Sequence, residues 1–139
     1  MPTTCINYYY TYNPSASTRP FKVELIYYYP DINTIDKNYG VTTIGSGIEY
    51  QNVEDAFNVN MFLTKMVITF TRAATWNTVP FNGFVCTSKT YGATLHRPAY
   101  FKSSTIDTAL MTLSSTTTTI TLNWEGVHFT PVDTIVIAW

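Results

Sequence analysis

The sequence predicts an all-β fold, an antiparallel β-sandwich of the jelly-roll or Ig-like kind with about eight to nine strands. Three observations carry that expectation. The chain is built of short β-branched and aromatic runs, Gly, Pro, Asn, Asp and Ser clusters separate them, and several runs alternate apolar and polar residues with the period of a pleated strand. A length of 139 residues without a Pro/Gly/Ser linker or an internal repeat fits a single domain, 1–139, large enough to bury its own core without disulfide or metal.

Residues 4–12 and 21–29 read as the first two strands, joined by a stretch dense in turn formers. In the second, Phe21, Val23, Leu25 and Tyr27 share one face, and only that face is cleanly apolar, as in a sheet with one side on a core. Residues 30–47 are punctuated by Asp, Asn, Gly and Ser and read as a long loop with one short strand over 41–44. At most one short helix is expected, near 52–58, where Asn52 offers a cap and Glu54 and Asp55 suit a helix N-terminus. Residues 61–72 are apolar on both faces toward their middle and read as a central strand. Further strands are expected over 81–88, 94–102, 108–113, 116–124 and 133–139. Phe62, Met66, Ile68, Phe70, Ile120, Leu122 and Trp124 are the expected core.

Charge narrows the function. Charged residues are only 12% of the chain, about half the usual share, and eight basic against nine acidic residues give a net charge of −1. The basic residues are scattered, which argues against nucleic-acid binding. The first residues lack the basic and apolar regions of a signal peptide, and no apolar run approaches the length of a membrane span. The two cysteines, Cys5 and Cys86, have no zinc-like spacing and are expected as buried free thiols.

No catalytic fingerprint is present. His96 and His128 lack metal-ligand spacing, Gly45-Ser46-Gly47 is too short for a nucleophile elbow, and Cys86 has apolar neighbours that leave a thiol inert. The chain is therefore expected to be a non-enzyme without a resident cofactor. Asp31, Asn33, Asp36 and Asn38 alternate oxygen donors along the 30–47 loop, the composition of a ligand or calcium loop, which Asx turns produce equally well.

What remains is a surplus of aromatics, 16% of the chain with 11 tyrosines. Tyr8, Tyr10 and Tyr12 fall on one face of the first strand in a segment without charge, and Trp139 ends an apolar strand. These four are the expected interface of a self-associating structural subunit, such as a virion decoration, tail or fibre-associated component, whose partner is itself or a larger assembly. The alternative is a lectin-like, carbohydrate-binding module that uses loop Asp and Asn groups with exposed Tyr or Trp.

Overall fold

The computed structural model describes residues 21–45 and 47–139. The expected strand over 4–12, Cys5 and the tyrosines Tyr8, Tyr10 and Tyr12 lie outside the described residues. Ten strands form two five-stranded antiparallel sheets. The first sheet contains β1 (Lys22–Tyr28), β2 (Ile35–Thr43), β7 (Gly83–Ser88), β9 (Thr112–Ser115) and β10 (Thr119–Asn123), in the order β9-β10-β7-β1-β2. The second contains β3 (Tyr50–Val53), β4 (Phe57–Met61), β5 (Lys65–Phe70), β8 (Tyr100–Ser104) and β12 (Thr134–Ala138), in the order β3-β4-β5-β12-β8. A small pair, β6 (Ala74–Thr75) with β11 (His128–Phe129), closes one end. The chain crosses between sheets after β2, β5, β7, β8 and β10, so the fold is the sandwich the alternation predicts.

The pattern works best where one face meets the core. Val23, Leu25 and Tyr27 of β1, Met66, Ile68 and Phe70 of β5, and Ile120 and Leu122 of β10 are all buried, and β5 is the central strand of its sheet. Gly83 opens β7 because a Cβ there would overlap the Leu122 carbonyl of the paired strand β10. Cys86 is an unbridged thiol between the sheets, and burial pushes its pKa up to about 12.

Trp124 lies at the centre of the core. The ring of Phe57 meets it edge-on at 4.9 Å, Phe84 and Phe129 also present edges, and Trp76 stacks parallel to it at 5.5 Å. Its indole N–H donates to the Tyr27 hydroxyl at 2.8 Å, and that hydroxyl donates to Asn82 Oδ1 at 2.9 Å. Every member of the chain is buried, and both the indole N–H and the phenolic hydrogen are used, which is the condition for a polar group in an apolar core.

Several expectations are corrected. Phe62 is exposed, because it sits in the β4–β5 turn, where its backbone N–H reaches back to the Lys65 carbonyl. No helix forms near 52–58. That segment is a tight turn in which Asn52, Glu54 and Asp55 all take positive φ, and Phe57 then starts β4. Residues 35–43 are a nine-residue edge strand rather than a loop, polar because most of its side chains face solvent on both sides. Among the described residues the one short helix is a 3-10 turn, Thr108–Leu110, capped by Asp107, within a segment read as strand. Residues 94–99 precede β8 rather than belonging to it.

Because Trp124 is fully buried and contacts both sheets, Trp124→Ala is expected to destabilise the fold by about 3–5 kcal/mol. Urea denaturation followed by circular dichroism checks this. An unmoved midpoint would mean that the indole is not the packing centre.

Candidate functional site

A polar cleft opens where β1 ends, β2 begins and the β3–β4 turn folds over. Tyr27, Tyr29, Asp36, Glu54, Thr75, Trp76, Asn77 and Asn82 line about 220 Å³. Each side chain reaches it through a local departure from regular structure.

Asp36 is carried by a bulge. Tyr28 pairs with Ile35 and Tyr27 with Lys37, so Asp36 is the extra residue in β2 and its side chain is re-aimed. A second irregularity sets Tyr39 and Gly40 against the single residue Leu25, and Gly40 takes the positive φ that such a kink requires. Glu54 comes from the other sheet, on the left-handed β3–β4 turn. Its backbone N–H donates to the Tyr39 hydroxyl at 2.7 Å, and that hydroxyl donates to Glu54 Oε2 at 2.6 Å. Tyr39 thus ties the edge of one sheet to the turn of the other.

The two carboxyls meet in the cleft. Burial pushes Glu54 above the usual carboxylate range, and the Asp36 carboxyl within hydrogen-bonding reach pushes it further, against the lowering pull of the Tyr39 hydroxyl and of Lys37. The Lys37 ammonium stands over the Tyr39 ring at 5.0 Å, and no Lys or Arg lines the cleft itself.

The aromatic wall is held from beneath. Trp76 is half-buried, stacked on Trp124, with its backbone N–H on the Val127 carbonyl and its own carbonyl accepting from Gly126. Its indole N–H is buried with no hydrogen-bond partner among the described residues. Asn77 Nδ2 donates to the Tyr29 hydroxyl at 2.9 Å, and Asn82, fixed by its own N–H on Asn123 Oδ1, closes the floor. Thr75 meets His128 Nδ1 across the small β6–β11 pair at 2.6 Å.

Of the four loop residues singled out from the sequence, only Asp36 enters this cleft. Asp31 Oδ1 accepts from the Asn33 N–H and the Thr34 hydroxyl, an Asx turn that closes the β1–β2 hairpin, and Asn38 Oδ1 accepts from the Gly40 N–H. Among the described residues, no group of three or more His, Cys, Asp or Glu side chains gathers where a metal ion could be held. Trp139, expected at an interface, is half-buried at the opposite end, its indole N–H on the Leu63 carbonyl at 3.0 Å. Glu54, Tyr39, Trp76, Asn77 and Asn82 were not legible as a site, since they lie far apart in sequence and carry no motif.

The acid pair has a stability consequence with a definite sign. A carboxyl whose folded-state pKa is raised favours the fold fully below its ordinary value of 4.5 and loses that contribution as pH rises through the raised value. Glu54→Gln keeps an acceptor for Tyr39 but cannot ionise. The variant is expected to melt higher than the parent at neutral pH, with the gap closing below pH 4.5. Asp133, held below the usual Asp range chiefly by the Thr130 N–H, loses its contribution as pH falls, but identically in both proteins, so it cancels from the difference. Paired thermal melts across pH check this; a constant gap would mean that the two carboxyls do not interact.

Among the described residues, no helix is long and apolar enough to cross a membrane. No family model matches the chain, and no curated protein or solved structure is significantly similar to it, so the cleft is read from its own chemistry.

Proposed function

We propose that this is a non-catalytic, lectin-like module that binds a saccharide in the cleft between Asp36, Glu54 and Trp76. The observation that carries the reading is the placement of a half-buried indole beside two carboxyls, two amides and a tyrosine hydroxyl in one open recess. Sugar rings present apolar C–H faces that suit an aromatic plane, and vicinal hydroxyls that suit carboxylate and amide oxygens. Hydrogen bonds already hold Glu54 to Tyr39, Asn77 to Tyr29 and Asn82 to Tyr27, which lowers the ordering cost of binding.

A second reading, the self-associating structural subunit, draws support from the opposite end of the sandwich. Phe62 and Leu63 in the β4–β5 turn are 41% and 63% exposed beside Trp139, and Tyr100, paired with Ala138, is also exposed. Phe21, Leu95 and Trp139 line an apolar crevice at the same end. Such a continuous apolar end suits a protein partner or a second copy.

The two readings separate experimentally. Trp76→Ala is expected to lower glycan-array binding at least about tenfold, the loss of roughly 1.4 kcal/mol of stacking, while a fold change is monitored by circular dichroism. Leu63→Asp is expected to leave array binding intact; if it also shifts sedimentation to smaller species, the apolar end is an assembly surface. An array that stays blank for the parent protein would remove the lectin reading.

A further inference from the structure

Resting on that saccharide reading, we propose that the sugar taken by the cleft is an amino sugar with a free ammonium group, seated against the Asp36 and Glu54 carboxyls and beside the Trp76 ring. The argument is one of charge and geometry together. The lining holds two carboxyls and no cation, and the nearest ammonium, that of Lys37, stands over the Tyr39 ring. The remaining groups facing the pair are uncharged phenols: Tyr39, on Glu54 itself, and Tyr27 and Tyr29, which line the recess. A uronic or sialic acid would bring a third carboxylate into this space and meet only repulsion. A neutral sugar would leave the two acids of the recess without a counter-charge.

An ammonium changes that balance. It attracts both carboxylates and the face of an indole at once, the combination by which proteins recognise amines. A cation beside Glu54 favours its charged form, which burial opposes, so binding of the amine is linked to loss of a proton from Glu54. The bulge at Asp36 and the left-handed turn at Glu54 hold the two acids in this arrangement from opposite sheets. Affinity for the amine therefore rises as pH increases through the titration of Glu54, because the competing proton is removed, and falls again once the amine itself deprotonates.

Calorimetric titration of the full chain with a β-1,4-linked tetramer of 2-amino-2-deoxyglucose, its fully N-acetylated counterpart and a uronic-acid tetramer tests this. Run in buffers of different ionisation enthalpy at moderate salt, the titrations are expected to show the amine bound at least about tenfold more tightly than the acetylated tetramer, with release of up to about one proton. Glu54→Gln is expected to abolish both the preference and the proton release while weak binding of the acetylated tetramer persists. Asp36→Asn, whose side chain is exposed, repeats the test if the first variant does not fold. Equal or tighter binding of the acetylated tetramer, still lost in Trp76→Ala, overturns the amino-sugar proposal and leaves the saccharide reading standing. A preference for the amine that survives both acid variants places the ammonium elsewhere and also overturns it. Absence of binding by all three tetramers removes both.

Discussion

A single buried N–H organises the end of the sandwich that carries the cleft. The indole of Trp124 is fully enclosed, and an unpaired donor in that environment costs about 1–3 kcal/mol. The Tyr27 hydroxyl accepts from it and must in turn find an acceptor, which is Asn82. Asn82 is then fixed by Asn123, the last residue of β10. This relay pins the segment before β7 across the end of the first sheet, and Trp76, stacked on the same indole, is pinned from the second side. The floor and wall of the cleft are thus consequences of how a core tryptophan is satisfied. Burial keeps the Tyr27 phenol far above its ordinary range, so the relay does not ionise at any pH at which the protein functions.

The strand β2 shows how an edge is managed and used at once. Among the described residues β2 stands at the edge of its sheet, and its two irregularities together with Asp36 and Lys37 work against pairing with another chain. The same irregularities place Asp36 and Tyr39 toward the second sheet, where the left-handed turn at Asn52, Glu54 and Asp55 comes to meet them. Non-glycine residues at positive φ are costly and persist where the surroundings fix them. Here the Tyr39 hydroxyl does so, holding both the backbone and the side chain of Glu54.

What was legible in the sequence follows from periodicity. β1, β5, β7, β10 and β12 each bury one face, and their alternation could be read directly; Tyr27, Phe70, Leu122 and Trp124 fell where the pattern placed them. The errors arise where periodicity carries no information. Where neither face is buried, as in β2, alternation has nothing to record, and polar residues read as loop. Asn52, Glu54 and Asp55 have the composition of a helix start, and only backbone dihedrals distinguish that from a left-handed turn. Phe62 extends the apolar pattern of β5 but sits on the turn before it. Of the site, Asp36 was visible as a loop acid, yet its partner Glu54 lies on the other sheet, and no local signal links the two.

The acids of this sparsely charged chain show why that pair stands out. Among the described residues the one ion pair joins Lys89 to Glu24 at 3.8 Å, exposed enough to contribute little. Four other acids bind backbone N–H groups: Asp31 that of Asn33, Glu49 those of Gly45 and Met61, Asp107 that of Ala109, and Asp133 that of Thr130. In each case the carboxylate satisfies a donor that a turn or strand end leaves open, and the role is structural. Asp36 and Glu54 depart from this rule. Glu54 takes a phenolic hydrogen from Tyr39, and its carboxyl also faces a second acid that, after burial, raises it. Two acids brought by backbone irregularities on different sheets into one recess with a half-buried indole form the arrangement on which the saccharide reading rests.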